Sequence, residues 1–259
     1  MTNIFQLSAK TLGQMSLPTF CGRCFWLRVH NPQMPFQVFP SIFSSIDTFS
    51  KRVTNLYFER HGRLPNWFKP IGLDAQPLEA PHWSKFNYTD RGTNIKVTGT
   101  ADEILKLPSR QGALVIVDYK TARHSTRADE LAPMYQTQLA CYSAIAERIG
   151  MGRTKSLWLA YYEPVTDVTA DQLADLVDDD SVAMRFAPKL IPVEMNHTTI
   201  PKLLKKARKI YDGPMPGRMA GCRDCNLLED LLRTVRRGQG GLPTTLKGFL
   251  ASTEQRVAR

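Results

Sequence analysis

The seven residues from Ala113 to Tyr119, ALVIVDY, constrain the fold more than any other part of the sequence. A strand with one solvated face alternates between apolar and polar residues, whereas this run is apolar at both sets of alternating positions. Such a strand has to be covered on both faces. We therefore predict a central strand within a sheet that lies between helices, which is an α/β layer architecture.

The segments around this strand predict the other elements of the layers. Apolar residues at helical spacing from Phe39 to Tyr57 predict a first helix with one buried stripe. Three segments with strand character then predict an antiparallel meander, at about 78–88, 94–107 and 113–119. Beyond it the pattern predicts a helix over 131–149 ending at Gly150, strands over 156–162 and 185–193, and a basic helix over 200–211.

The charge balance narrows the class of partner. Lys and Arg number 34 against 24 Asp and Glu, a formal net charge of +10. This excess favours a polyanionic partner such as nucleic acid, with a solvated basic surface as the alternative. The apolar runs are far shorter than the ~20 residues that cross a bilayer, so we expect no membrane association. The first ten residues, MTNIFQLSAK, lack the features of a secretory signal, which predicts a cytoplasmic protein.

Two acids and one amine lie near the end of the central strand: Asp102, Asp118 and Lys120. Positions two apart on a strand face the same side, so Asp118 and Lys120 project together. If the second and third strands pair, Asp102 comes beside Asp118. Carboxylate oxygens suit Mg²⁺, and a lysine there can orient a water or offset charge on a phosphate. The group therefore predicts a magnesium site, and ordinary charges at a strand end are the alternative.

Gln138 and Tyr142 are four residues apart on the predicted helix that follows, so they share one face. An amide and a phenol in this arrangement can hold a phosphate oxygen or position the lysine. The alternative is a surface amide beside a core tyrosine.

The segments GTADEI, VIVDYKTA and QLACY resemble, in this order, the core of the PD-(D/E)xK nuclease superfamily. They are most similar to its branch with the RecB-type nuclease domain and the CRISPR-associated Cas4 proteins, and the specific part covers about Lys96–Gly150. The resemblance implies a restriction-endonuclease-like fold with a central mixed sheet. It also implies hydrolysis of single- or double-stranded DNA with Mg²⁺ or Mn²⁺, and leaves a helicase or other DNA-processing protein open as a partner.

The resemblance also implies a role for each site residue. Asp102 and Asp118 would be metal ligands, Lys120 the catalytic lysine, and Gln138 with Tyr142 the supporting helix motif. RecB-type members usually carry a histidine on the helix before the strands, but the helix predicted from Phe39 to Tyr57 contains none.

Polar residues of this helix offer a substitute for the histidine. Ser44, Asp47 and Lys51 lie on one stripe, roughly opposite the apolar face. Asp47 is a candidate third ligand, with a solvated helix charge as the alternative. Because the histidine is missing, a nucleic-acid-binding module that keeps the fold without turnover is a second hypothesis for function.

Four of the five cysteines form two C-x-x-C pairs, Cys21 with Cys24 and Cys222 with Cys225. Together the pairs can complete a four-thiolate metal site or hold an iron–sulfur cluster, provided that the two ends of the chain meet. The resemblance favours a [4Fe–4S] cluster, which Cas4-like nucleases typically hold with one early and three late cysteines. This sequence has two early and two late cysteines, and that departure leaves Zn²⁺ open as the alternative. Cys141 is expected to be a buried small hydrophobe.

We predict one nuclease-like domain over residues 1–237, with a catalytic core at about 94–162. The cysteine-containing ends at 15–30 and 215–232 are expected to join at the metal site, and 238–259 to form a basic, mobile tail. Two basic clusters are candidates for contacts with phosphates, with a solvated surface as the alternative: Lys202, Lys205, Lys206, Arg208 and Lys209, then Arg233, Arg236 and Arg237.

Overall fold

A computed structural model describes residues 3–31, 33, 40–108, 112–124 and 130–238. The chain divides into two compact units, one of residues 1–18 and 35–209, the other of residues 19–34 and 210–259. Within the described residues, no helix is both long and apolar enough to cross a membrane. The predicted helix start Phe39 and the tail beyond Gly238 lie outside the described residues.

The elements follow in chain order. They are β1 (Phe5–Ser8), α1 (Ala9–Gln14), α2 (Gly22–His30), α3 (Ser41–His61), β2 (Gln76–Leu78), β3 (Asn87–Asp90), β4 (Ile95–Thr98), β5 (Glu103–Leu107), β6 (Ala113–Lys120), α4 (Ala132–Arg148), β7 (Thr154–Pro164), β8 (Phe186–Val193), α5 (Thr199–Asp212) and α6 (Arg223–Gly238). The predicted helices and strands that correspond to α3, β6, α4, β7, β8 and α5 are confirmed.

The first unit contains two sheets. A three-stranded sheet has the order β1-β4-β3, with β1 parallel and β3 antiparallel to β4. A five-stranded mixed sheet has the order β2-β5-β6-β7-β8, in which β6 and β7 are parallel and the other neighbours antiparallel. The helix α4 connects the parallel pair and packs against both of its strands. The fold is thus a mixed α/β arrangement, as predicted.

The central position of β6 explains its two-sided apolar pattern. Val115, Val117 and Tyr119 belong to a buried cluster that includes Leu64 and Phe68, while the alternate residues of β6 are buried on the other face. The prediction of a strand that is covered on both sides is confirmed.

Two predicted strands are wrong in extent. The segment from Asn94 to Leu107 is not one strand, because residues 99–102 leave β4 in one sheet and lead into β5 in the other. The segment from Leu78 to Tyr88 contains only the end of β2 and the start of β3. Pro81 lies between them, and a residue without a backbone N–H is a poor member of a strand ladder.

The buried face of α3 is the polar face, opposite to the apolar face that was predicted to be buried. Its apolar residues Ile42, Phe49 and Leu56 are exposed, whereas Ser50 and Thr54 are buried. The Thr54 hydroxyl donates to the Ser50 carbonyl and shares a hydrogen bond with the Tyr162 hydroxyl at 3.0 Å. The predicted buried apolar stripe is therefore wrong, because hydrogen bonds make burial of the polar stripe tolerable.

Candidate active site and four-cysteine centre

The antiparallel pairing of β5 with β6 brings the two predicted acids together. Glu103 pairs with Val117, so one further step in register places Asp102 opposite Asp118 on the same face. Burial raises the pKa of Asp118 to about 6, and the charge of Asp102 adds to this increase while Lys120 opposes it. The strand pairing that the sequence analysis assumed is confirmed, and the two carboxyl groups lie close enough to influence each other.

Lys120 contacts the buried acid of its own strand. Its Nζ donates to Asp118 Oδ2. Lys120 Nζ also lies 4.7 Å from the centre of the Tyr135 ring. Burial lowers the pKa of Lys120, but the Asp118 carboxylate outweighs burial and raises it above the ordinary value. Lys120 is therefore a cation at the end of β6, on the face that also carries Asp118.

Gln138 and Tyr142 are buried on α4 and form a short chain of hydrogen bonds to the same acid. Gln138 Nε2 donates to Asp118 Oδ1 at 3.2 Å and to the Tyr142 hydroxyl at 2.8 Å. Gln138 therefore helps to determine the orientation of the Asp118 carboxylate. Its predicted role beside a phosphate or the lysine stays a prediction.

Gly99, the glycine of GTADEI, packs against Tyr142, the tyrosine of QLACY. A Cβ atom on Gly99 would lie 2.5 Å from Tyr142 Cε1 and 2.7 Å from Cδ1. The absence of a side chain therefore lets the Tyr142 ring pack directly against the segment that leads into Asp102.

Lys51 on α3 forms ion pairs with both Asp47 and Asp102. Its Nζ lies 2.7 Å from Asp47 Oδ2 and 2.7 Å from Asp102 Oδ1. Burial lowers the pKa of Lys51, but Asp102 and then Asp47 outweigh it, so the net shift is upward. The other oxygen, Asp102 Oδ2, accepts a hydrogen bond from the Tyr119 backbone N–H at 2.8 Å. The contact of Lys51 with Asp102 does not follow from the stripe that Lys51 shares with Asp47 in the sequence.

Glu103 is a buried acid that the sequence analysis missed. It lies on the opposite face of β5 from Asp102 and accepts a hydrogen bond from the Tyr119 hydroxyl at 3.3 Å. Burial raises its pKa to about 7, against the effects of Tyr119 and Lys51. Together with Lys51, Glu79 and Asp102 it lines an open cleft of about 480 Å³. The only signal in the sequence was an acid directly after Asp102.

The residues at the end of β6 fit a divalent cation. Two carboxylates share one small region, and the proximity of Asp102 disfavours ionisation of Asp118. Carboxylate oxygens are the ligands that Mg²⁺ and Mn²⁺ prefer. Lys51 and Lys120 now supply positive charge to these carboxylates, and a divalent cation could take that place, so the donor set suits the metal that the resemblance implies.

The four predicted cysteines meet within the second unit. Their Sγ atoms all lie within 4.8 Å of one another. Cys21 precedes α2 and Cys24 lies in its first turn, and Cys222 and Cys225 have the equivalent places at α6. The predicted meeting of the two C-x-x-C pairs is confirmed, and the four residues form a candidate metal centre.

The fifth cysteine and the two basic clusters differ in burial. Cys141 is fully buried on α4, as predicted, and burial raises its pKa to about 12. The basic residues of both clusters lie on the outer faces of α5 and α6, with only Arg208 partly buried. Their contact with phosphates stays a prediction.

Comparison with known proteins adds a family match. A sequence model described as the PD-(D/E)XK nuclease superfamily matches residues 40–229. That range includes the proposed active-site residues and the second cysteine pair. The chain is also similar to a solved structure described as the crystal structure of SSO0001, at 13% identity and a TM-score of 0.36, with 83% of this chain and 81% of that chain covered. None of the curated proteins matches the chain.

Proposed function

Because the chain belongs to the PD-(D/E)XK nuclease superfamily, we propose that it hydrolyses phosphodiester bonds in DNA with Mg²⁺ or Mn²⁺. The observation that carries the proposal is the convergence of Asp102, Asp118 and Lys120 at the end of the paired strands β5 and β6. Its finer assignments are the restriction-endonuclease-like fold, the RecB-type and Cas4-like branch, and one nuclease-like domain over 1–237. They rest on the order of the three motifs.

Asp102 and Asp118 would hold the metal ion. When bound, such an ion acidifies a coordinated water and offsets negative charge on the phosphate. Lys120 contributes a second positive charge beside Asp118, where it can orient the attacking water or stabilise the charge that develops on the scissile phosphate. These roles need the three side chains close together at the end of β6, and the register of β5 against β6 supports this.

Gln138 and Tyr142 act as positioning residues. Gln138 donates hydrogen bonds to both Asp118 and Tyr142, so the amide nitrogen is directed at the carboxylate and its orientation is maintained by the phenol. Asp118 is almost completely buried. A buried carboxylate that is fixed by hydrogen bonds is preorganised, which lowers the reorganisation needed during reaction.

The second candidate function is a nucleic-acid-binding module without turnover. Lys51 favours it, because the helix on which the resemblance implies a histidine ligand presents an ammonium to Asp102 instead. Such a module would bind DNA equally well in EDTA, and no divalent ion would produce cleavage.

The test uses the purified chain with labelled single- and double-stranded DNA, in Mg²⁺, Mn²⁺ or EDTA. We expect metal-dependent cutting, and a loss of about 100-fold or more in Asp118→Asn and in Lys120→Met. Lys155→Met removes an exposed lysine on β7 and serves as the matched control. Circular dichroism checks that each variant is folded. Undiminished cutting by folded Asp118→Asn and Lys120→Met would contradict the proposal.

A further inference from the structure

We propose that the four cysteines bind a single tetrahedral zinc ion instead of the four-iron cluster that the resemblance implies. The spacing of their sulfur atoms carries the inference. The Sγ atoms of Cys21 and Cys225 are 3.7 Å apart, and Cys24 Sγ is 3.5 Å from Cys222 Sγ and 3.4 Å from Cys225 Sγ.

These distances match those expected around one ion. A Zn–S bond of about 2.3 Å gives a tetrahedron whose sulfur atoms are separated by about 3.8 Å. The three measured separations are within 0.4 Å of that value, and no pair of the four exceeds 4.8 Å. One metal ion at the centre would therefore need only small movements of the thiols.

A four-iron cluster requires a wider set of thiols. In a [4Fe–4S] cluster each cysteine binds a different iron, so an iron–iron edge and two diverging Fe–S bonds separate any two cysteine sulfurs. Cys24 has two neighbouring thiols at 3.4 and 3.5 Å, which leaves no such space between them. To accept the cluster, α2 and α6 would have to separate at their first turns.

The backbone around the two pairs also favours a symmetric site. The Phe25 N–H donates to the Cys21 carbonyl at 3.1 Å, and the Asn226 N–H donates to the Cys222 carbonyl at 3.1 Å. Each pair thus supplies one thiol just before a helix and one in its first turn. Two equivalent pairs provide two ligands each, in contrast to the one early and three late cysteines of the cluster.

The backbone also directs hydrogen-bond donors toward the thiols. The first turn of each of the two helices offers free N–H groups and the positive end of the helix dipole to one cysteine pair. Cys21 Sγ additionally accepts a hydrogen bond from the Met219 N–H at 3.5 Å. Four protein thiolates close the coordination of zinc, so the ion would be structural and would not exchange electrons.

The test measures metal directly and does not depend on the proposed nuclease activity. The full chain is expressed in medium that contains both iron and zinc, purified anaerobically and analysed for zinc, iron and acid-labile sulfide. We expect a colourless protein with one zinc per chain, and exchange with Co²⁺ should give the visible spectrum of a tetrahedral tetrathiolate site. A brown protein with about four irons and sulfides per chain overturns the inference, as does one iron or no metal.

Variants locate the ion. Cys225→Ser should lose zinc, while Cys141→Ala, which removes the cysteine outside the centre, should keep one zinc per chain. If Cys225→Ser does not fold, titration of the wild-type thiols with a mercurial replaces it. Release of one zinc should then accompany the reaction of four thiols. Retention of zinc by Cys225→Ser, or release with any other number of thiols, would overturn the assignment.

Discussion

Replacement of Gly99 by alanine would drive a methyl group into the ring of Tyr142. The new Cβ would lie 2.5 Å from Cε1, so one of the two groups has to move by about 1 Å to reach ordinary van der Waals separation. The Tyr142 hydroxyl is held by Gln138 at 2.8 Å, and the ring is buried. A shift of the ring therefore also weakens this hydrogen bond.

The expected cost follows from these two effects. Overpacking of a well-packed site costs about 1–3 kcal/mol, and loss of one buried hydrogen bond costs about 1 kcal/mol. We expect Gly99→Ala to lower the free energy of unfolding by about 2–4 kcal/mol. Urea unfolding followed by circular dichroism would show this as a lower midpoint with an unchanged slope.

Two further variants test the reasoning behind this prediction. The nearest atom to a Cβ on Gly92 would be Asp90 Oδ2, at an ordinary 3.5 Å, so Gly92→Ala should change stability by less than about 0.5 kcal/mol. In a Tyr142→Ala background the obstructing ring is gone, and Gly99→Ala should cost at least about 1 kcal/mol less than in the wild type. An equal cost in both backgrounds would refute the proposed contact.

Three other perturbations have distinct expected outcomes. Glu103 has an ordinary pKa of 4.5 but about 7 when folded, so the unfolded chain ionises first and stability falls as pH rises between these values. Urea unfolding in EDTA should show that Glu103→Gln reduces this fall by up to about 3 kcal/mol, and an unchanged fall would contradict the cause. Lys51→Met should tighten Mn²⁺ binding about fivefold in calorimetry, because a competing cation is removed. Arg52→Met, on the exposed side of the helix, should leave the Mn²⁺ affinity unchanged. Equal Mn²⁺ affinities of the two variants would count against a competing role of Lys51. Thr54→Val should lower the free energy of unfolding by about 1–2 kcal/mol through lost buried hydrogen bonds. The control Ser45→Ala, at an exposed position, should change the free energy of unfolding by no more than about 0.5 kcal/mol. Similar losses in both variants would argue against a stabilising role of the Thr54 hydrogen bonds.

The elements nearest the candidate site could be predicted because their signals are local. The apolar run of β6 and the regular spacing of α4 each lie within one continuous segment, and Gly150 ends α4 with a φ of 81°. The pairing of β5 with β6 followed from the short connection between them. The position of Asp102 beside Asp118 is a consequence of that pairing.

The missed features depend on contacts between distant segments. The spacing of α3 shows which face is apolar but not which face is turned inward, and the hydrogen bond between Thr54 and Tyr162 joins residues 108 positions apart. In the same way, the ion pair between Lys51 and Asp102 exists only once α3 lies beside the start of β5. No local pattern in the sequence carries this information.

The contact between the early Cys24 and the late Cys222 has a consequence for biosynthesis. The two residues are separated by 198 positions, and at a translation rate of about 5–20 residues per second the earlier thiols leave the ribosome about 10–40 s before their partners. All strands of both sheets have been synthesised before that moment. The nascent polypeptide can therefore complete its larger unit first, and a product terminated before Cys225 would retain reactive thiols that a chaperone or protease could recognise.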